Sequence, residues 1–394
     1  MDFVWGLFNR SPPLPPTQLQ PPTQLPKTLP TLPADVLREI IKRMDTAVPL
    51  RSVCWTFRRL IKPDRKATQD TIRIAAKLGY IALLEWVETQ RKESLQKALL
   101  VAAYEGNLNS LKWLFESNNL PIYNPEICEE AARGGRLEVI KWVRTWNCPY
   151  GNAATVAARN GHREVLQWIV ANGGSTTMET WLEACEAGQI DTFLWGQMRG
   201  MFTVDPSFCA AAAKGGRQRM LNLLTDELEC AWGTNTTTNA AIYGHLNLLK
   251  HAIAHGCPKD LTPMLSYVVA SNGHLEVLKY LQSLGCRLHQ AICARAAASG
   301  NIQLLTWLRD QSLPWGRTTS SAAEAGHVHI LQWARERACP WDADTLYEAG
   351  RNGHVAAMEW AFKNGAPWDD RLEQLTDPKV VAWIKANKTS CTIS

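Results

Sequence analysis

Residues 157–168 read Ala157-Ala158-Arg159-Asn160-Gly161-His162-Arg163-Glu164-Val165-Leu166-Gln167-Trp168, and the same pattern returns along the chain at a nearly constant interval. Repetition with a period of this size is typical of solenoids, in which each unit packs against its neighbours. The sequence therefore predicts an array of eleven units. The repeat glycines, 26 to 29 residues apart, are Gly79, Gly106, Gly135, Gly161, Gly188, Gly216, Gly244, Gly273, Gly300, Gly326 and Gly353.

The residues around each glycine predict two short helices per unit. Alanine stands four residues before the glycine in ten copies, and a large apolar residue stands five after it in all eleven. Alanine favours helix and allows close helix contact, whereas glycine adopts the positive φ that ends a helix. The apolar residues after the glycine describe one stripe of a second helix. Each unit is thus predicted as helix, turn, helix and return loop, and the fold class as all-α.

Tryptophan stands seven residues after the glycine in eight copies, where it is predicted to form a buried spine. These residues are Trp86, Trp113, Trp142, Trp168, Trp195, Trp307, Trp333 and Trp360.

The segment from Ala157 to Ile169 follows Ala-Ala-x-x-Gly-His-x-x-Val-Leu-x-x-hydrophobic and resembles the ankyrin repeat. The resemblance covers about 300 residues. The unit is shorter than the usual ankyrin length of about 33 residues, and the Thr-Pro-Leu-His opening is missing. We therefore expect short loops where ankyrin repeats have β-hairpin fingers. The short, Trp- and Cys-rich units are similar to ankyrin-type repeats of amoeba-infecting giant viruses and some protists, and the resemblance implies protein recognition.

The predicted organisation has four parts: a Pro-rich tail or linker over 1–31, a helical module over 32–66, the repeat array over 67–370, and a capping half-unit and tail over 371–394. Eight prolines between residues 11 and 31 favour an extended linker. The repeated Pro-Pro-Thr-Gln-Leu motif leaves a ligand for an SH3-type domain as an alternative. The aromatic residues of 1–10 either fold back on apolar surface or dock a partner.

The helical module over 32–66 is predicted to need a partner. Pro33 opens a helix with an apolar face, and a second apolar helix follows from about Pro49. Two or three short helices in about 35 residues make an incomplete core.

This segment resembles the F-box. Leu32, Pro33, Ile40, Val53, Cys54, Arg58, Leu60 and Ile61 match its pattern, and Phe57 takes the place of the usual tryptophan. The stretch from Met44 to Leu50 is shorter than is typical. The resemblance implies docking to a Skp-family linker protein of a cullin-RING (SCF) ubiquitin ligase, by insertion of an apolar face into its groove. The implied docking residues are Leu32, Pro33, Val36, Leu37, Ile40, Ile41, Val53, Cys54, Phe57 and Leu60. The alternative is a cap that packs on Ile72 and Ile74 of the first repeat.

Composition narrows the function classes. A hydrophobic content of 46% with 20% charged residues is that of a folded protein, and a dispersed net charge of +5 argues against nucleic-acid binding. No apolar run approaches the 18 or so residues that cross a bilayer. Eleven cysteines without a CxxC pair, several at repeat-specific positions, predict small buried residues in a reducing compartment. We therefore expect a cytoplasmic, or nuclear, monomer without cofactor or membrane contact, in the host cytoplasm if the chain is viral.

Three sets of residues remain as candidate sites. Five histidines directly follow a repeat glycine, where we expect them to bridge backbone groups rather than bind metal. Aromatic residues of the return loops either pack on the next unit or recognise a substrate; they are Tyr150, Trp232, Trp315, Trp341 and Trp368. The irregular units around Gly188 and Gly216 mark a kink or a binding site.

No nucleophile with a base, phosphate loop or carboxylate cluster stands out, so an enzyme is not expected. The prediction is a substrate adaptor of an SCF ligase. The alternative is a binding scaffold, or a blocker of a host protein, without a ligase role; an enzyme hidden near Gly188 is a weaker third.

Overall fold

The computed structural model describes residues 69–79, 81, 84, 95–118 and 123–391. These residues form α-helices joined by short loops, and no β-strand occurs among them. The chain divides into two compact units, Met1–Ala98 and Leu99–Ser394.

In the first unit, helix α1 (Gln69–Leu78) ends at Gly79, whose φ is 75°. Ala75 and Ala76 are fully buried, as the repeat pattern predicts for the residues before the glycine. The F-box-like segment over 32–61 lies outside the described residues, so its predicted helices and their packing stay predictions.

From residue 95 onward, helices come in pairs. The first helices are α2 (Leu95–Glu105), α4 (Pro125–Arg133), α6 (Ala153–Arg159), α8 (Met178–Ala187), α10 (Pro206–Lys214), α12 (Thr234–Ile242), α14 (Pro263–Ser271), α16 (Ile292–Ala298), α18 (Thr318–Glu324) and α20 (Thr345–Arg351). The second helices are α3 (Leu108–Asn118), α5 (Leu137–Arg144), α7 (Arg163–Ala171), α9 (Ile190–Met198), α11 (Gln218–Asn222), α13 (Leu246–Ala254), α15 (Leu275–Ser283), α17 (Ile302–Asp310), α19 (Val328–Glu336) and α21 (Val355–Lys363). A 3₁₀ turn (Asp370–Gln374) and α22 (Pro378–Cys391) follow.

Successive first helices from α4 to α20 pack directly on one another, in sequence order. Their contact surface is the row of small residues three and four positions before the repeat glycine, such as Ala157 and Ala158, which are fully buried. Small side chains let the helix backbones approach closely, and each pair buries its apolar face against its neighbours. The predicted all-α array of tightly stacked helix pairs is confirmed for this unit.

The repeat glycines have two roles. All eleven have φ between 68° and 83°, the left-handed conformation that ends the first helix. In addition, a Cβ on Gly135 would lie 2.6 Å from His162 Nδ1 of the next unit. Glycine therefore both turns the chain and leaves room for the side chain that follows the next glycine.

That following side chain bonds its unit to the preceding one. His162 Nε2 lies 3.0 Å from the carbonyl oxygen of Arg133, one of the last carbonyls of α4. Because a carbonyl only accepts, the ring nitrogen must donate, which places a proton on Nε2. The expectation that the histidines after the repeat glycines bridge backbone groups is confirmed for His162, His245 and His327. The same contact, to the residue two before the preceding glycine, is made by Arg136, Gln189, Arg217, His245 and His327.

One histidine that follows a repeat glycine is expected to make stability depend on pH. Burial lowers the pKa of His274, and the charge of His245 lowers it further, against the opposing effect of the Ile242 carbonyl. The neutral ring is thus favoured in the folded chain, and its stabilisation is complete above about pH 6.5 and declines as the pH falls through the folded-state pKa. Gln189 already fills the equivalent position. We therefore expect His274→Gln to lose less stability than the parent between about pH 7.5 and 5.0 in urea titrations; equal losses would contradict this role.

The second helices bury the apolar residue five positions after each glycine, such as Ile140, Leu166 and Leu331, all fully inaccessible. The tryptophans two positions later are less buried than predicted. Trp195 and Trp333 are buried, but the other described members are half-buried and lie at the edge of the core: Trp113, Trp142, Trp168, Trp307 and Trp360.

The C-terminal cap is longer than the sequence indicates. Helix α22 (Pro378–Cys391) occupies most of the segment over 371–394, for which the sequence predicted a half-unit and a tail. Gly350 stands where most other units have alanine, and a Cβ there would lie 2.8 Å from Leu375 Cδ1. This glycine gives the leucines of the cap room to cover the end of the array.

In the irregular unit around Gly188, a large residue and a small residue have exchanged places between the first and the second helix. Trp181 of α8 is 1% exposed at a position where most other units have a small residue such as alanine, cysteine or threonine. Gly196 of α9 stands opposite, where a Cβ would lie 2.3 Å from Trp181 Cζ3. Phe202, from the longer return loop, stacks on Trp181 with ring centroids 4.9 Å apart. In the next unit, α11 continues as a π-helix, Leu223–Glu227.

Candidate functional site

A groove of about 570 Å³ crosses the outer face of first helices α14, α16, α18 and α20. Its wall residues include Tyr267, Arg295, Arg317, Glu348 and Arg351, and its floor is lined by small residues. A groove of this volume, lined by both polar and apolar groups, is within the size range of ligand sites. It is the candidate site that the repeat array presents.

The groove arises from residue size at one repeat position, six residues before the glycine. That position holds Tyr267 in α14 and Tyr347 in α20, but Ala294 and Ser320 in the two helices between them. Because the first helices are stacked side by side, the two small residues leave a depression beside Tyr267. Gly316, which has no side chain, further opens the loop that leads into α18.

Arg295 lies on the wall of the groove in a fixed position. Its guanidinium carbon is 4.7 Å from the centroid of the Tyr267 ring, and its Nε donates to the Tyr267 hydroxyl. His289 packs edge-on against the same tyrosine, with ring centroids 4.8 Å apart. Tyr267 therefore contacts both residues, and it orients the arginine by stacking and by a hydrogen bond.

The opposite wall is a network of paired charges. Glu348 Oε2 lies 2.9 Å from Arg351, and Glu348 Oε1 lies 3.7 Å from Arg317. Arg317 also pairs with Asp344 at 2.8 Å, and Arg351 with Glu324 at 3.6 Å. These pairs join α18 to α20 and set the positions of two more guanidinium groups at the groove.

The return-loop aromatics predicted as substrate-binding candidates, Tyr150, Trp232, Trp315, Trp341 and Trp368, are all half-buried. Tyr150 donates to the Asn172 carbonyl and Trp341 to the Asn364 carbonyl, each in the next unit, at 3.2 and 3.1 Å.

Two other return-loop tryptophans also contact the next unit or the cap, through their rings. Trp315 packs on Trp333 of the next unit with ring centroids 5.9 Å apart, and Trp368 on Trp383 of the cap at 6.3 Å. Packing between units is therefore observed for four of the five candidates, and a role in recognition stays a prediction for all five.

Arginines of the second helices support these loops. The guanidinium carbons of Arg144 and Arg309 lie 4.2 Å from the ring centroids of Tyr150 and Trp315, respectively. The same arginines donate to the loop carbonyls of Cys148 and Leu313. These loop aromatics thus pack against arginine side chains of the second helices.

The nine described cysteines are all free and buried, which confirms for them the prediction of small buried residues. Cys148 Sγ lies 3.4 Å from the Asn124 carbonyl oxygen, so the return loop closes onto the start of α4. Burial raises the pKa of Cys293 to about 11 and of Cys339 to about 12, so both remain thiols at neutral pH.

Four further sequence predictions concern partner docking, metal binding, membrane contact and the irregular unit. The ten predicted linker-docking residues, from Leu32 to Leu60, lie outside the described residues. Within the described ranges, no group of three or more metal-ligating side chains is gathered in one place, and no helix there has the length and apolar character to span a bilayer. Around Gln189 to Phe202 the structure shows aromatic packing, and the choice between a kink and a binding site stays a prediction.

Comparison with known proteins adds no identification: neither a protein-family model nor a curated protein matches the sequence.

Sequence reasoning missed the groove. The repeated glycines, alanines and tryptophans are positions that build the core. The surface of the array is formed by the variable positions between them, which the repeat pattern does not highlight. A signal was present in the sequence. When the units are aligned on their glycines, one repeat position holds two small residues between two large ones: Tyr267, Ala294, Ser320 and Tyr347.

Proposed function

We propose that this protein is a protein-interaction adaptor rather than an enzyme, with the stacked first helices holding a partner protein. The observation that supports this most is the groove across α14 to α20, because it combines a tyrosine and arginine wall with a floor of small residues. Tyrosine and arginine are enriched among residues that dominate binding energy at protein interfaces. The rigid stack of helices holds these side chains in place before a partner arrives.

The second half of the proposal is that residues 32–61 attach the array to a Skp-family linker, so that the captured protein becomes the substrate of an SCF ubiquitin ligase. The F-box resemblance in sequence, directly ahead of the array, supports this half. The alternative is an ankyrin-like binding scaffold, or a blocker of a host protein, in which the same segment only caps the array.

A pull-down of a Skp-family linker protein by the full chain tests the attachment. We expect the parent to capture the linker and a Leu37→Asp, Ile40→Asp double variant to lose at least about tenfold in affinity, because charges on an apolar face cannot enter a partner's groove without a large desolvation cost. The matched control is Trp146→Asp, Met198→Asp, which adds the same charges at exposed apolar positions of the array. Absence of capture by the parent would leave the scaffold alternative.

A further inference from the structure

Arg295 differs from four other basic residues of this face, each of which is paired with an acidic residue. Arg159 has Glu183 at 2.8 Å, and Lys214 has Glu186 at 2.7 Å. Arg317 and Arg351 are likewise paired, as described above. Among the residues that the structure describes, no carboxylate lies within ion-pair distance of Arg295. Its positive charge is therefore not neutralised by an acidic neighbour, unlike the charges of Arg317 and Arg351 at the same groove.

The orientation of Arg295 leaves its terminal nitrogens available. Nε is used in the bond to the Tyr267 hydroxyl, and the guanidinium plane is held by the tyrosine ring. The two terminal nitrogens form the fork that matches the two oxygens of a carboxylate. Because Tyr267 already restricts the side chain, little additional rotamer freedom is lost when a ligand binds.

The floor of the groove allows a peptide backbone to come close to this fork. Ala291 and Ala294 line the groove beside Arg295, and Gly316 and Ser320 continue the floor toward α18. None of these side chains extends far from its helix or loop. On the far side, Glu348 is shared by Arg317 and Arg351, so that wall is not an acidic surface that would repel a negative group.

We propose that the groove binds a peptide segment of the partner through an acidic side chain, whose carboxylate is held by the terminal nitrogens of Arg295. This inference rests on the proposed protein-binding function and names the chemistry that the groove selects. An acidic residue on the partner supplies the carboxylate that Arg295 lacks, and the neighbouring backbone of the partner lies over Ala291 and Gly316, which line the groove and are exposed. Tyr267 is a positioning residue for Arg295.

Fluorescence anisotropy with the full chain tests the proposal. The probe is a fluorescein-labelled octapeptide of alternating glutamate and alanine, titrated at low salt beside the corresponding lysine and alanine peptide. We expect saturable binding of the glutamate peptide in preference to the lysine peptide. Arg295→Met should weaken binding by about fivefold or more, the range of a charged hydrogen-bonded pair that is partly exposed. Arg295→Lys should weaken it as well, since a lysine keeps the charge but loses the fork.

The matched control is Arg159→Met, which removes the same charge from an exposed and acid-paired position of α6. Its affinity for the glutamate peptide should stay within about twofold of the parent, because a general charge effect of one residue is small and screened by salt. Equal weakening by Arg295→Met and Arg159→Met, or failure of the parent to prefer the glutamate peptide, overturns the proposal. Linker capture by residues 32–61 is measured separately, so either half can fail without the other.

Discussion

Replacing Trp181 with alanine is expected to lower the free energy of unfolding by about 3–5 kcal/mol, the range for removal of a buried aromatic side chain. Trp181 is almost completely buried and contacts Phe202 and Trp195, with ring centroids 4.9 and 6.2 Å away. The opposite residue, Gly196, has no side chain that could move into the space. The cavity therefore stays open in the variant, and its walls lose their contacts.

The exchange of large for small residues gives this prediction a sharper test. Gly196→Leu alone introduces the residue type common at this position in other units, yet it should destabilise by about 1–3 kcal/mol because the Trp181 ring occupies the space. In the double variant Trp181→Ala, Gly196→Leu, the new leucine side chain can enter the space that the indole leaves, so the loss should be smaller than the sum of the two single losses. Urea unfolding followed by circular dichroism measures this coupling. Additive losses would show that the two residues do not share one space.

Gly215→Ala is expected to cost about 1–3 kcal/mol although Gly215 has an ordinary helical backbone, with φ of −78°. A Cβ there would lie 1.8 Å from the carbonyl oxygen of Glu186, in the neighbouring first helix. That carbonyl also accepts from Arg217 Nε at 3.1 Å. The substitution must therefore push α8 and α10 apart and break this bond, an effect larger than the helix propensity of about 1 kcal/mol that alanine gains over glycine.

Since stability in a stacked array depends on each interface between neighbours, the Gly215→Ala transition should also broaden or split in two. The control is Asn160→Ala at the equivalent position of another unit, where the side chain is exposed and a Cβ is already accommodated. Its stability should stay within about 0.5 kcal/mol of the parent. A parent-like transition for Gly215→Ala would contradict the close approach of the two helices.

Gly215 also shows where sequence reading reaches its limit. The sequence contains Gly-Gly-Arg twice, at residues 134–136 and 215–217, and the second glycine of each is readily assigned to the helix end. The need for the first glycine follows from a carbonyl of the preceding unit, which the following arginine brings close. No local pattern reveals that contact.

The sequence by itself determined the helix pairs and the glycines that end their first helices, because these depend on residues within one unit. Gly161 ends a helix through its own φ, Ala157 and Ala158 allow close packing through their size, and Leu166 marks the buried stripe through its spacing. Such properties belong to neighbouring residues and repeat with the period of the chain.

Only the tertiary structure decided the exchange of Trp181 and Gly196, the half-buried edge position of the tryptophans, and the groove beside Arg295. Each depends on side chains that lie far apart in sequence and come together because the helices stack. Tyr267 contacts Arg295, for example, and both line one groove with Glu348. The repeat period predicts that units will be neighbours. The shapes and charges of the side chains decide whether the space between two units is filled or left open. These properties vary from unit to unit, whereas the period does not.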